Sequence, residues 1–542
     1  MISVTGFIAV GLASKLVYEV FNWNYKAFLN KDEWNKKGFK KIPVPPKKYL
    51  YFGNNYQNKR KTSTILTVNQ IGHMLSLSED PTAQVNQWIK TYGPILHLTM
   101  GVQHWVVIAD PLLASEIFVR NASKSSGRQR HIFTHTIYAD VIRGLSFTDA
   151  GKKWQKSRKI AQSMLSPERI EKFSGVIESI TDNVVDELAK ASDRDGSVCP
   201  LSFVKLSTFS IMLKSLFGKT VDSIDDPLLQ DVICIADGIV KYVSPEQDIG
   251  SFIPSFSWIT KFSKQRKGMA NVVKLRNVVL SKLVSEAAHG EVDCLVKQAY
   301  ALKEEYGLDD DDLVSMMSDL LAAGGDPTSV SLTWLLLILA QYKDVQQRVC
   351  YEIDAFVEQN GRLPSFSDRE NVPYIRAVLL ECIRFRSITN FGIPRFVTED
   401  IECLGYFIPK NTVVITSMHA MHMYPNNQTD ADQFIPERFL GRTKTWAANS
   451  RANVQERDMY AFGWGRRICV GIHLVEVEVF NMCVRALGRY NIEIPVRQDG
   501  LVDDIISKGS VSRGLNCMPH DYTLKFIKRC NTPLDAHASK KD

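Results

Sequence analysis

Near its C-terminal end the chain reads Phe462-Gly463-Trp464-Gly465-Arg466-Arg467-Ile468-Cys469-Val470-Gly471, a cysteine framed by glycines and preceded by adjacent arginines. Glycines let backbone N–H groups approach an anion closely, arginines supply positive potential that favours a deprotonated sulfur, and a turn into the apolar stretch 472–480 puts Cys469 at a helix N-terminus. A thiolate held this way serves as a nucleophile, a redox centre or a metal ligand. The alternative is a buried structural cysteine, since free Cys is among the most buried residue types.

Two further constellations combine charge with backbone constraint. A helical pattern runs over residues 309–342, with Asp309, Asp310, Asp311 and Asp312 in its first turn, where the helix dipole favours negative charge, and few charges after Asp319. In its middle stands Ala323-Gly324-Gly325-Asp326-Pro327-Thr328. Glycine costs a helix interior about 1 kcal/mol and proline about 3 kcal/mol, so a helix that keeps them there needs a reason. Glu381-Cys382-Ile383-Arg384 and Phe434-Ile435-Pro436-Glu437-Arg438-Phe439 supply a carboxylate and two guanidinium groups. Buried together, these lock two segments through bidentate hydrogen bonds that offset desolvation; on an exposed helix, Glu and Arg three apart are an ordinary solvated pair.

The order Glu-x-x-Arg, Pro-Glu-Arg-Phe and Phe-x-x-Gly-x-x-x-Cys-x-Gly closely resembles that of the cytochrome P-450 family, and the resemblance covers nearly all of the chain beyond about residue 40. It implies a mainly helical fold with small β-sheets (α+β, the cytochrome P-450 fold) and haem b, iron protoporphyrin IX, as cofactor. Cys469 is then the axial ligand of the haem iron, with Phe462 and Gly463 beside it. Glu381, Arg384 and Arg438 become a structural knot, and the histidine of Ala420-Met421-His422 is structural too. In Gly151-Lys152-Lys153-Trp154-Gln155-Lys156-Ser157-Arg158 the resemblance assigns Trp154 and Arg158 to the haem propionates; their i, i+4 spacing shares one helix face, as it also does in a surface cation–π pair. Arg395 and Arg467 occupy the other propionate positions, where arginine's fork suits a carboxylate.

The family carries Ala-Gly-x-Asp/Glu-Thr-Thr/Ser in the middle of the long helix, where an opened turn admits oxygen above the iron and the acid and alcohol relay protons. Here Pro327 stands in place of the usual threonine. Proline removes the N–H that bonds the Ala323 carbonyl, so the helix is expected to open and the freed acceptor to hold water, yet proline donates no proton. Thr328 lies about 100° further round, free to back-bond to Gly324. Asp326 and Thr328, with ordered water or a substrate hydroxyl, are the candidate catalytic proton carriers.

The activity implied is insertion of one oxygen atom from O2 into a C–H bond of an apolar small molecule, a steroid or other lipid or terpenoid being favoured. Electrons would come from NADPH through cytochrome P-450 reductase, with cytochrome b5 as a further donor. Lys152, Lys153, Lys156 and Lys159 are expected on the face near the Cys loop where the family docks its acidic reductase, although a charge run is usually a solvated face. The pocket walls are expected in segments 134–141, 320–323, 387–391 and 507–512. A reductase-independent isomerase or dehydratase remains open because of Pro327, as does a non-catalytic haem sensor, which needs only the Cys ligand and the propionate clamps.

Composition bounds the organisation. Between about residue 50 and residue 520 there is no linker or repeat, so a single catalytic domain is expected over residues 49–520, with a polar tail at 521–542. Residues 1–24 read as an N-terminal membrane anchor, apolar but interrupted by Lys15 and Glu19, and 25–48 as a basic, proline-rich linker. The basic residues follow the apolar stretch, which favours an anchored protein over a cleaved signal peptide and a catalytic domain facing the cytosol at the endoplasmic reticulum membrane. The 10 cysteines are scattered without a Cys-x-x-Cys pair, as in a reducing compartment. A net charge of +7 without an aromatic-interleaved basic stripe argues against nucleic acid and is compatible with an acidic partner. Asn121-Ala122-Ser123 and Asn427-Gln428-Thr429 match the glycosylation pattern but stay unused on a cytosolic domain.

Overall fold

In the computed structural model, which describes residues 34, 36, 38–47, 72–77, 80–129, 131–138, 143–244, 247–254, 263–423, 430–496 and 501–538, apolar runs on the N-terminal side build a sheet. Strands β1 (Ile95–Met100) and β2 (Gln103–Ile108) pair antiparallel, Ile95 opposite Ile108. The apolar run alone suggests a second strand over residues 105–109; the ladder starts it at Gln103, opposite Met100, because pairing continues up to the turn. Gly101 is required there, with φ +59° and no room for a Cβ beside the Phe252 carbonyl. Strands β3 (Gly127–Arg128) and β4 (Arg395–Phe396) are followed by a separate hairpin, β5 (Ile401–Cys403) with β6 (Tyr406–Ile408), and by β7 (Val413–Thr416). The five-stranded sheet has the order β1-β2-β7-β4-β3, with β2 and β7 parallel.

The described residues also form ten longer helices, packed mainly on one another: α1 (Pro81–Tyr92), α2 (Lys152–Met164), α3 (Ser174–Asp195), α4 (Leu201–Phe217), α5 (Pro227–Val243), α6 (Lys264–His289), α7 (Asp310–Gln341), α8 (Lys343–Asn360), α9 (Pro373–Phe385) and α10 (Ile472–Leu487). Helix α7 is the axis of the molecule, packed against α4, α5, α6 and α10. A capping box starts it: the Asp309 carboxylate accepts from the Asp312 N–H at 2.8 Å, and Asp312 accepts from the Asp309 N–H at 3.0 Å. All side chains from Val330 to Ala340 are buried, and each fully buried leucine there is worth about 1.5–3 kcal/mol. The helix runs unbroken through Pro327, so the expected opening is not what accounts for the glycines. A Cβ on Gly324 would strike the Met212 thioether and one on Gly325 the Phe209 ring, both from α4. These glycines bring two helices into close approach.

Past α10 come β8 (Tyr490–Glu493), the hairpin β9 (Ser510–Arg513) with β10 (Asn516–Pro519), and β11 (Lys525–Lys528). β11 pairs with β8 and buries Phe526, which ties part of the expected polar tail into the domain. The anchor segment 1–24, residues 48–71 around the end of the linker and Asn427-Gln428-Thr429 lie outside the described residues. Among the described residues no helix is long and apolar enough to cross a membrane. The described part of the linker lies along the sheet, the Pro43 carbonyl accepting from the His97 N–H at 2.8 Å.

Candidate active site

Cys469 sits where the loop after a short turn (Gly465–Arg467) meets α10. Gly465, at φ +56°, is packed so closely under the Phe118 carbonyl that no Cβ fits, and the Cys469 N–H donates to the Phe462 carbonyl at 2.9 Å. The sulfur lies next to the Gly471 backbone N–H at the start of the helix, where that N–H favours the thiolate. Its exposure is to an internal cavity, since the residue lies deep within the protein. Burial pushes the Cys469 thiol up, against the opposing pull of the Gly471 N–H, Arg158 and Arg451. The adjacent arginines therefore do not hold the thiolate as the sequence suggests: the favourable charges come from other elements, and burial outweighs them. A sulfur in this setting becomes a thiolate when a cation binds it directly.

The cavity, about 340 Å³, is a slot between α7 and the Cys loop. Leu320, Ala323, Pro327 and Thr328 form one wall; Phe462, Gly463, Cys469 and Leu474 form the other. Arg128, Arg158, Arg395 and Arg467 line it as well. Arg128 and Arg395 stand directly opposite each other on β3 and β4, a like-charge cross-strand pair that is unfavourable by itself. Arg395 donates through Nη2 to the Trp464 carbonyl at 2.6 Å, but its buried Nη1 has no partner. Arg467 is fixed by the Ser126 and Leu145 carbonyls, both bonds near Nη at 2.9 and 3.0 Å. Burial, and then the neighbouring guanidinium groups, press Arg467 down to about 7 and Arg395 well below the usual arginine range. Asp149 and Asp319 act on Arg128, leaving the cluster short of negative charge. A buried cluster of this kind is suited to an anion that offers carboxylates to several guanidinium groups.

Trp154 is near the cluster without lining the slot: its indole N–H donates to the Leu145 carbonyl at 3.0 Å, and Arg467 stacks over its ring at 4.1 Å. Arg158 lies on the same helix face and reaches the Ile468 carbonyl, one residue before the sulfur. Arg128 belongs to the cluster although no motif marks it. Its context, Ser125-Ser126-Gly127-Arg128, carries no periodic or motif signal, and only the β3–β4 register brings it here.

Asp326 faces away from the slot. Its Oδ2 accepts from Asn516 Nδ2 on β10 at 2.5 Å, and Lys205 Nζ on α4 lies 3.7 Å from Oδ1 and 2.6 Å from Asp237 at the surface. Burial raises Asp326 to about 6, with Lys205 opposing. Thr328, the other candidate proton carrier, lines the slot beside Pro327. Lys205 and Asn516 were also beyond sequence reasoning, because each comes from an element far away in the chain.

Glu381 is fully buried on α9. Arg384 grips it with Nε at 2.5 Å and Nη2 at 2.7 Å, and Arg438 Nε approaches at 3.1 Å. His422 links this region to the Cys loop, Nδ1 facing Ser387 Oγ at 3.0 Å and Nε2 accepting from the Tyr460 N–H at 2.9 Å; burial holds it neutral. Three of the four α2 lysines have neighbours near the start of α7, while Lys152, Lys156 and Lys159 stay exposed. Lys153 pairs with Asp312 at 2.7 Å, Lys159 lies over Tyr306, and Lys156 is beside Gly307. The groove behind the Cys loop is lined instead by Arg120, Arg451 and Arg466, with Trp464.

A lone cysteine at a helix N-terminus, an apolar slot and an arginine cluster lacking its anion fit the class of haem proteins whose iron is held by a thiolate. A family model, cytochrome P-450, matches residues 16–513, and the chain belongs to the cytochrome P-450 family. A cytochrome P-450 monooxygenase of Armillaria gallica is 25% identical over 510 residues, covering 91% of this chain and 92% of its own length. Cytochrome P-450 monooxygenase 58 of Postia placenta is 28% identical over 439 residues, with 79% and 81% covered. The fold is shared with a zebrafish cytochrome P-450 solved with progesterone, at a TM-score of 0.71 and 24% identity over 83% of this chain and 99% of that one.

Proposed function

We propose that this monooxygenase oxidises a C–H bond of an apolar small molecule, with a steroid or other lipid or terpenoid favoured, using electrons from NADPH delivered by a cytochrome P-450 reductase at the endoplasmic reticulum membrane. The carrying observation is that Cys469 opens on a slot that adjoins further apolar space: the slot shares the wall residues Phe147, Phe391 and Leu515 with a second chamber of about 260 Å³. In this reading Cys469 Sγ holds the haem iron, and Arg128, Arg158, Arg395 and Arg467 hold the propionates. Bound haem supplies the oxygen chemistry, which thiolate ligation biases towards O–O cleavage.

The protein's own part is positioning and proton supply. Leu320, Ala323 and Pro327 present an apolar surface to the substrate and exclude water. With its carboxyl raised to about 6, Asp326 takes and gives a proton near neutral pH. Lys205 Nζ connects Asp326 Oδ1 to the solvent side at Asp237, Asn516 connects Oδ2 to the slot, and Thr328 supplies the hydroxyl that Pro327 lacks. The arginine-lined groove behind the Cys loop offers an acidic reductase, or cytochrome b5, its docking face. Incubation of the purified protein with reductase and NADPH tests this: substrate-dependent NADPH consumption with oxygenated product supports it. Product formed without reductase or NADPH would point to isomerase chemistry.

A further inference from the structure

The second chamber, taken as part of the substrate site proposed above, has a feature that the oxidation chemistry does not use. Its walls are mainly apolar, with Leu98, Met100, Trp105 and Val107 from the sheet facing Phe252. Within them lies His131, only 6% exposed. Its Nδ1 is 3.3 Å from Asp248 Oδ2, and the Ser244 carbonyl is a second acceptor beside the ring. Neither ring nitrogen completes a hydrogen bond of good geometry. Asp248 is fixed independently, by the Ile132 N–H at 2.8 Å and the Ser251 N–H at 3.3 Å. Other polar side chains of the chamber are engaged, Gln129 Nε2 with Gln103 and Asn390 Nδ2 with Thr82, each at 2.7 Å.

A buried polar atom without a partner costs about 1–3 kcal/mol, and a ligand that supplies the partner recovers it. We propose that His131, oriented by Asp248, hydrogen-bonds an oxygen function on a substrate that occupies this chamber and reaches the slot past the side chains of Phe147, Phe391 and Leu515. The substrate is then an apolar body with one polar end, and His131 is a specificity-determining residue. It sets which end of the molecule enters the slot.

The test is calorimetric binding to the purified holoprotein of matched hydrocarbon, alcohol and ketone probes, built on an androstane skeleton and on a dodecane chain. In at least one series the alcohol or ketone should bind about tenfold tighter than the hydrocarbon, the return expected for one recovered buried hydrogen bond. The alcohol and ketone arms tell whether the ring accepts or donates. His131→Phe should abolish the preference and His131→Gln should restore part of it, both variants first being shown to keep the parent's ferrous–CO spectrum. Equal affinity across each series, no binding of any oxygenated probe, or a preference that survives in His131→Phe overturns the proposal. The haem reading fails separately, by loss of the thiolate CO band in the parent protein.

Discussion

Two buried arginine clusters lie within the same domain, and they differ in whether their charge is answered. Around Glu381, Arg384 and Arg438 meet a carboxylate, and the remaining Arg384 donors reach the Ala431 and Gln433 carbonyls at 2.7 and 2.9 Å. Around the slot, Arg128, Arg158, Arg395 and Arg467 crowd together with an orphaned Nη1 and strongly depressed proton affinity. A closed network is a structural fixture. An open one has donors left for a ligand, which is the role proposed above for the propionate clamp.

The largest expected effect breaks the closed network. Arg384→Ala leaves Glu381 buried and half-paired and should cost about 3–5 kcal/mol, a large fraction of the stability of an ordinary domain. Its denaturation midpoint should fall steeply. The same operation on the open cluster should act in the opposite sense. Arg395→Met or Arg467→Met should leave apoprotein stability equal or higher, while haem transfer to apomyoglobin should quicken about tenfold or more. Parallel losses of stability in both clusters would erase the distinction.

A third contrast is set by pH. The Asp326 carboxyl, raised to about 6 from 3.8, binds its proton more tightly in the folded state than in the unfolded one. Its contribution to stability is therefore greatest below the unfolded value and declines as pH rises through the folded one, by up to about 3 kcal/mol. Asp326→Asn should flatten that part of the decline in melting temperature between about pH 4 and pH 7, and should also slow turnover. Thr328→Val should leave the pH profile of stability unchanged while lowering the coupling of NADPH to product.

The smallest effect concerns the surface. Arg120→Glu with Arg466→Glu should slow reductase-driven turnover several-fold at low salt, whereas Lys156→Glu with Lys159→Glu should do little. Equal slowing in both pairs would return the docking face to α2.

What was legible in the residues follows the range of the interactions. The α7 span, its acidic start and the position of Cys469 at a helix N-terminus come from local pattern, and the structure keeps them within a residue or so. The placements that went astray depend on what approaches from elsewhere. Gly324 and Gly325 look like an opened turn until Met212 and Phe209 arrive from α4, and Lys153 looks like part of a docking face until Asp312 pairs with it. Arg128 joins the site through strand register alone. No spacing along the chain encodes it.

The central claim is that Cys469 holds the haem iron as a thiolate, with the arginine cluster clamping the propionates. The most direct measurement is the ferrous–CO difference spectrum of the purified protein beside that of Cys469→Ser, at matched haem content. The parent should show the red-shifted Soret band of thiolate ligation, and Cys469→Ser should lose it while retaining folded protein. A parent without that band, or a variant that keeps it, contradicts the account.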